Sequence, residues 1–199
     1  MSRTARALRR AASDVQARLA GYYQLEPGVP VADYVLPTAP GSRETLLVRQ
    51  VGDHLELRLL LPKDVSLGPE LHRAQPTDGF LQLVEGVSHF MLVVERARRG
   101  LPTTQLELEL QAEVDKFALL GGELPPHAGR HIHQRLYEQV SFLHHAGSEQ
   151  GARYRLANGL AARFVHRLIG RRPALKRRAL QRFHGAGQAE KLWLVARGT

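Results

Sequence analysis

The chain has 199 residues, of which 43% are apolar and 24% are charged, and its formal net charge is +9. This length suits one domain with a substantial hydrophobic core, so we predict a single domain over residues 1–199. The absence of cysteine excludes disulfides, thiolate catalysis and cysteine-based zinc or iron–sulfur sites. No apolar run approaches the roughly 20 residues of a membrane span, and no signal-peptide core follows Met1. We therefore expect a cytoplasmic protein with no membrane partner.

Charge is distributed unevenly along the chain. Residues 1–18 carry +4 and residues 150–199 carry +11, which leaves −6 for the middle of the chain. A basic C-terminal quarter of this kind points to a polyanion or an acidic partner. The basic residues are 24 arginines and only 4 lysines, and GC-rich coding produces the same arginine bias without selection for function. Both explanations of the charge stay open at this point.

The first quarter of the chain is predicted to begin with a helix within residues 1–20. Apolar side chains recur there at helical spacing, with arginines on the opposite face. Residues 22–42 are rich in proline and glycine, which predicts an irregular segment lying over the surface. Residues 44–61 hold two apolar runs flanking Gly52-Asp53-His54, a pattern that indicates a small antiparallel β-hairpin. A second loop is predicted over residues 62–76.

Residues 79–120 contain the densest apolar pattern, which predicts a central helix pair joined at Arg99-Gly100-Leu101-Pro102. In the first helix, apolar residues recur every three or four positions from Phe80 to Val94. Asp78 is predicted to cap that helix, because its carboxylate can accept from backbone N–H groups of the first turn. The β-branched content of residues 90–94 leaves a buried strand as the alternative.

The second helix of the pair is the more ambiguous, because residues 104–116 fit both a strand period and a helical one. Leucine, glutamate, glutamine and alanine dominate the segment, and these residues favour a helix. Thr104 followed by Glu107 also fits a capping box at a helix N-terminus. Helix is therefore the prediction and strand its alternative.

Residues 130–195 are predicted to form a basic helical C-terminal part. The pattern indicates a helix from about Arg130 to His144, a second one capped by Ser148 and running to Ile169, and a third over 174–183. The apolar tail after the third helix is predicted to dock on the protein. The predicted fold class is therefore mainly α (α+β), a helical domain packed around two central helices with a small hairpin near the N-terminus.

The third of these helices is predicted to bury Leu175, Ala179 and Phe183 and to turn its basic residues outward. An arginine-rich helical face beside a tight turn can follow phosphates, which supplies affinity without sequence information. The favoured function is thus a non-enzymatic binding or adaptor protein that contacts a polyanion, nucleic acid first, and an acidic protein surface is the alternative partner. The candidate nucleic-acid-binding residues are Arg163, Arg167, Arg171, Arg172, Lys176, Arg177, Arg178 and Arg182.

A small enzyme of unknown reaction is the second hypothesis. Glu113 falls inside the apolar stripe of its predicted helix, where a carboxylate must be paired, hydrogen-bonded or protonated. Glu85 and His89 share a helical face at i and i+4, so Glu113, Glu85 and His89 are the candidate catalytic residues. A structural ion pair of Glu113 with a residue such as Lys116 is the simpler explanation. A third hypothesis is a subunit of a protein complex.

Other templates of catalysis and ligand binding are missing from the sequence. There is no Gly-x-Ser-x-Gly, phosphate loop or Gly-x-Gly-x-x-Gly. His131 and His133 point about 200° apart on a helix, and no Glu-x-x-His pair of a di-metal bundle occurs. No cofactor and no metal site are therefore predicted.

Overall fold

The structure is a computed structural model that describes residues 2–26, 28–64 and 77–197. In these ranges the chain is mainly helical with one small sheet, which confirms the predicted fold class. Most of the loop predicted over 62–76 lies outside the described residues. Contacts divide the chain into a first unit, Met1–Gly21 with Leu25–Thr103, and a second unit, Tyr22–Gln24 with Thr104–Thr199. The single domain over 1–199 stays a prediction.

The first unit begins with α1 (Arg3–Tyr23), which runs three residues beyond its predicted end and whose last two residues belong to the second unit. Its predicted apolar face is confirmed, because the five residues that form it are each at most 8% exposed: Ala5, Leu8, Ala12, Val15 and Leu19. A short 3-10 turn (Val31–Asp33) follows the helix. Gln16 of α1 fixes this turn by donating to the carbonyl of Val29 and accepting from the backbone N–H of Val31.

The sheet of the first unit has the order β1-β3-β2, with β1 (Val35–Thr38), β2 (Thr45–Val51) and β3 (His54–Pro62). β2 and β3 pair antiparallel, which confirms the predicted hairpin. The register pairs Val51 with His54, so the loop has two residues and the first of them, Gly52, has a φ of 59°. A two-residue hairpin loop favours such positive φ values, which glycine adopts without strain.

β1 was not predicted from the sequence. Residues 22–42 were expected to be irregular and superficial, but Val35 pairs with Leu59 in a parallel ladder and is fully buried. The strand tolerates Pro37 because β1 lies at the edge of the sheet. No further strand there requires a hydrogen bond from the backbone N–H that proline lacks. The proline content therefore predicted a loop for a segment that forms a short strand, because this segment pairs with β3.

α2 (Asp78–Arg98) confirms the first predicted central helix and excludes the strand alternative. Its cap differs from the prediction by one residue, because the Thr77 hydroxyl accepts from the backbone N–H of Phe80. Asp78 instead accepts hydrogen bonds from Arg43 and Gln82. Gly86 lets α2 approach the sheet closely, since a Cβ at this position would lie 2.8 Å from Cδ1 of Leu59.

The second unit contains the remaining helices: α3 (Gln105–Gly121), α4 (Pro126–His133), α5 (Glu149–His166), α6 (Pro173–Gly185) and α7 (Gln188–Arg197). α3 confirms that residues 105–121 form a helix rather than a strand. Thr104 caps it by accepting from the backbone N–H of Glu107 at 3.1 Å. The reciprocal half of the predicted capping box is replaced, because the Glu107 carboxylate accepts from Lys191 Nζ at 3.2 Å.

Two of the helices predicted in the second unit differ from the structure by three residues or more at one end or both, whereas the helix predicted over 174–183 is only slightly longer in the structure. The helix expected from Arg130 to His144 begins at Pro126 and continues from α4 into a π-helical turn (Gln134–Glu138), where it ends. Ser148 caps α5 as predicted, but α5 ends at His166, three residues before the predicted end. Pro173 occupies the first turn of α6, as its fixed φ and missing N–H favour.

The buried face of α6 is rotated relative to the prediction. Ala179 and Phe183 are buried as expected, but Leu175 is 51% exposed. Leu180 and Lys176 are buried in its place, so the prediction that Lys176 turns outward is wrong. The sequence pattern of α6 was ambiguous because apolar and basic residues alternate closely along it.

The predicted docking of the tail is confirmed, because the tail forms α7 and buries Leu194 and Val195.

Candidate functional site

Two of the eight predicted nucleic-acid-binding residues serve the fold of the second unit. Arg167 donates to the backbone carbonyls of Leu194 and Val195 near the C-terminal end of α7, where such bonds satisfy carbonyls that the helix leaves open. Lys176 is 5% exposed, and burial lowers its pKa while the Glu123 carboxylate opposes that shift. These two residues are therefore poorly placed to meet an external polyanion.

Two further arginines are exposed but paired with carboxylates. Arg177 Nη2 lies 3.3 Å from Oε1 of Glu123, and Arg182 Nη2 lies 3.2 Å from Oε1 of Glu190. All four side chains are about half or more exposed, and ion pairs of this kind contribute little to stability. Arg177 and Arg182 can thus exchange these carboxylates for phosphate oxygens at a small energetic cost.

The side chains of Arg163, Arg172 and Arg178 are exposed and form no hydrogen bond or ion pair with any residue in the described ranges. Arg178 lies one turn before Arg182 on α6, and Arg172 is the N-cap residue of that helix. Arg171, beside it, is partly exposed. The structure therefore keeps the positive charge of the α6 region accessible to solvent.

An exposed aromatic ring lies beside these arginines. Trp193 of α7 is 45% exposed and is the only tryptophan in the chain. The guanidinium carbons of Arg182 and Arg197 lie 5.5 Å and 5.8 Å from the centroid of its ring, within cation–π distance. The sequence analysis assigned Trp193 only to the apolar tail that docks on the protein, because only the fold places α7 beside α6.

Glu113, the first candidate catalytic residue, is held by structural partners in the second unit. Its Oε1 lies 2.7 Å from Nζ of Lys116, and its Oε2 accepts from Asn158 Nδ2 at 3.4 Å. The side chains of Glu113 and Lys116 are 14% and 9% exposed. This arrangement favours the ion-pair explanation of a carboxylate within an apolar stripe.

We expect Glu113→Gln to lower the free energy of unfolding by about 2 kcal/mol, because a largely buried lysine loses a charged partner. Chemical denaturation followed by circular dichroism measures this change. Glu123→Gln is the matched control, since it breaks an exposed pair with Arg177 and should cost less than about 1 kcal/mol. An unchanged stability of Glu113→Gln would count against the structural role and in favour of a catalytic one.

Glu85 and His89, the other two candidate catalytic residues, lie on α2 in the first unit. The structure places a partner beside Glu85 that sequence reasoning missed, namely Glu44, the residue preceding β2. The side chain of Glu44 is 7% exposed, and Glu85 is 4% exposed. Nothing in the local pattern relates residues 44 and 85, so only the packing of α2 on the sheet reveals this pair.

The Glu85 carboxylate lies close enough to Glu44 to disfavour the ionised form of the Glu44 carboxyl group. Burial and the Glu85 carboxylate raise the pKa of Glu44 to about 8, and Arg43 opposes this shift. Arg43 Nε lies 3.5 Å from Oε2 of Glu44, while its Nη1 lies 3.0 Å from Oδ2 of Asp78. The first unit thus contains a buried acid that keeps its proton at neutral pH.

The histidines singled out near α4 are structurally separate. His131 is exposed, whereas His133 is buried with its Nε2 3.0 Å from the backbone carbonyl of Ala162. Its ring also lies edge-on to Tyr137 and to His166. α4 therefore directs the two histidines into different environments, as the helical spacing predicted.

Comparison with protein-family models, with curated proteins and with solved structures found no significant match to this chain. None of the helices in the described ranges combines the length and the apolar character needed to cross a membrane.

Proposed function

We propose that this protein binds a polyanion, nucleic acid first, through the α6 surface, which we define as Arg171, Arg172, Arg177, Arg178 and Arg182 with Trp193. The observation that carries the proposal is the exposure of Arg172 and Arg178 without an acidic partner in the described part of the chain. Arginine suits this task because its planar fork of donors matches phosphate oxygens. The +11 charge of residues 150–199 adds long-range attraction.

The exposed indole favours nucleic acid over an acidic protein surface. Bases stack on aromatic rings without regard to sequence, and nearby arginines strengthen such platforms. Trp193 lies close to two guanidinium groups, so a single strand could place phosphates on the arginines and a base on the indole.

The test is a titration of the protein with single- and double-stranded DNA and RNA across a salt series. Trp193 is the only tryptophan, so its fluorescence reports contact with this surface directly. We expect quenching by single strands and an affinity that falls linearly with salt on a log–log plot, by about 0.7 per phosphate contact. Competition by polyglutamate that equals competition by oligonucleotide would favour the acidic-protein alternative.

The double variant Arg172→Glu/Arg178→Glu should weaken binding strongly and lower the log–log slope by about one to two, because two phosphate contacts are lost. Both side chains are exposed, so the thermal unfolding of the variant should match that of the wild type. Arg6→Glu/Arg10→Glu is the matched control, since it makes the same change in net charge on exposed positions of α1 in the first unit. Equal losses in both double variants would show that net charge alone matters and would refute the α6 surface.

A further inference from the structure

An open pocket lies against α6 in the second unit. Its volume is about 440 Å³, which is within the range of small-ligand sites. The residues that line it are Gln24, Pro173, Ala174, Arg177, Arg178 and Gln181. Among the described residues, the lining therefore contains two guanidinium groups and two carboxamides and no carboxylate.

The two arginines of the pocket differ in how they are held. Arg177 is positioned by Glu123 at 3.3 Å and by the ring of Tyr22, whose centroid lies 5.7 Å from the guanidinium carbon. One N–H is engaged by the carboxylate, and the guanidinium has five, so donors remain for a ligand. Arg178 has no partner in the described part of the chain. The pocket thus combines one pre-positioned cation with one that is available.

Gln24 reaches this pocket through an anchored turn at the end of α1. The hydroxyl of the buried Tyr23 donates to Asp115, and the backbone carbonyl of Tyr22 accepts from Gln181 Nε2 at 3.3 Å. Gln24 itself has a φ of 55°, the only positive value outside glycine in the described ranges. Its side chain forms no hydrogen bond with a described residue, so its amide is a second available donor.

The donors suit a phosphomonoester better than a phosphodiester. A phosphomonoester carries a charge of about −1.5 to −2 and three terminal oxygens, which match two guanidinium groups and an amide. A diester within a strand has one negative charge and two such oxygens. The described lining consists of Gln24 and of α6 residues between Pro173 and Gln181, a short stretch that suits one phosphate better than a run of backbone phosphates.

We infer that this pocket binds a phosphomonoester, namely the terminal phosphate of a nucleic-acid strand, with Gln24, Arg177 and Arg178 as its donors. The inference rests on the proposed function and deepens it. Arg172 and Trp193, outside the pocket lining, serve the adjoining nucleotides. The protein is then expected to prefer strands that end in a phosphate, whatever their sequence.

The experiment compares two single strands of the same total charge. One carries a 5′-phosphate, which adds about two negative charges, and the other has a 5′-hydroxyl and two additional nucleotides, which add one charge each; a 3′-phosphorylated strand forms a third arm. Charge-assisted hydrogen bonds to the terminal phosphate should make a phosphorylated strand bind about tenfold more tightly. Equal affinities of all three strands would overturn the inference while leaving the proposed function intact.

Two variants test whether the preference for a phosphorylated end arises in the pocket. Gln24→Gly removes the amide and keeps a residue that tolerates positive φ, and Arg178→Gln removes the available guanidinium. Each should abolish the preference for a phosphorylated end. Arg163→Gln is the control, because Arg163 lies on α5 outside the lining and should affect all strands equally. A preference that survives both pocket variants would overturn the assignment.

Calorimetry with inorganic phosphate tests phosphate binding by the pocket independently of nucleic-acid binding. Heat of binding that disappears in Gln24→Gly and in Arg178→Gln supports the phosphomonoester pocket. If that heat is present but no oligonucleotide binds, the ligand is a small phosphate compound, and both the terminal-phosphate assignment and the proposed function fail. If oligonucleotides bind without any heat from inorganic phosphate and without end preference, only the pocket assignment fails.

Discussion

Replacing Lys191 by methionine is expected to lower the free energy of unfolding by about 3–5 kcal/mol, because it leaves the carboxylate of Glu107 buried without its cation. Lys191 of α7 is 0% exposed and Glu107 of α3 is 2% exposed, with 3.2 Å between Nζ and Oε1. Lys191 Nζ also lies 5.6 Å from the ring centroid of Phe183. This pair links the last helix of the chain to the first turn of α3.

A double-mutant cycle measures how much of that loss belongs to the pair. Lys191→Met/Glu107→Gln removes both charges, and we expect it to recover most of the stability that Lys191→Met loses. Urea denaturation followed by circular dichroism gives the four free energies. The exposed pair of Arg49 and Glu56, with side chains 73% and 49% exposed, is the control, and Arg49→Ala should cost less than about 1 kcal/mol. Additive losses in the cycle would contradict a coupled pair.

Stability of the protein is expected to fall as the pH rises from about 4.5 to 8, with Glu44 as the cause. Its pKa is raised from 4.5 to about 8 in the folded protein, first by burial and then by Glu85. The folded state therefore binds a proton that the unfolded state releases across this interval. The favourable contribution is complete below pH 4.5, declines by about 1.4 kcal/mol per pH unit, and is lost above pH 8.

Glu44→Gln tests this pH dependence directly, because a neutral amide keeps the shape of the protonated acid and has no proton to lose. We expect the variant and the wild type to have similar free energies of unfolding near pH 4.5, and the variant to be more stable by a few kcal/mol at pH 9. Denaturation at a series of pH values gives the two curves. Glu56→Gln, at a half-exposed position on β3, should leave the wild-type curve unchanged. Parallel curves for Glu44→Gln and wild type would show that Glu44 titrates normally.

Local sequence patterns were sufficient to predict most helices of this protein. The apolar face of α1, the hairpin at Gly52 and the caps at Thr104 and Ser148 depend on residues within a few positions of one another. Periodicity, turn chemistry and capping act over this short range. The errors occurred where a neighbour from elsewhere in the chain decides the outcome, as with β1 on β3 and the buried face of α6.

For the candidate sites too, local sequence was informative only in part, and contacts from elsewhere in the chain decided the rest. The sequence predicted an arginine-rich C-terminal face, but it could not separate Arg167 and Lys176, which serve the fold, from Arg172 and Arg178, which face solvent. Composition gives the number of charges, whereas burial and pairing decide which of them can meet a ligand. Trp193 likewise became a candidate only once α7 was placed beside α6.

By itself the sequence determined the helical class, the hairpin and the location of the positive charge, because each depends on composition or on side chains close together along the chain. Only the tertiary structure decided the partners of charged groups distant in sequence: Glu44 with Glu85, Glu107 with Lys191, and Gln24 with the arginines of α6. The physical reason is that desolvation and Coulomb interactions act through space, so a protonation state, an ion pair or a binding pocket forms only where the fold brings these groups together.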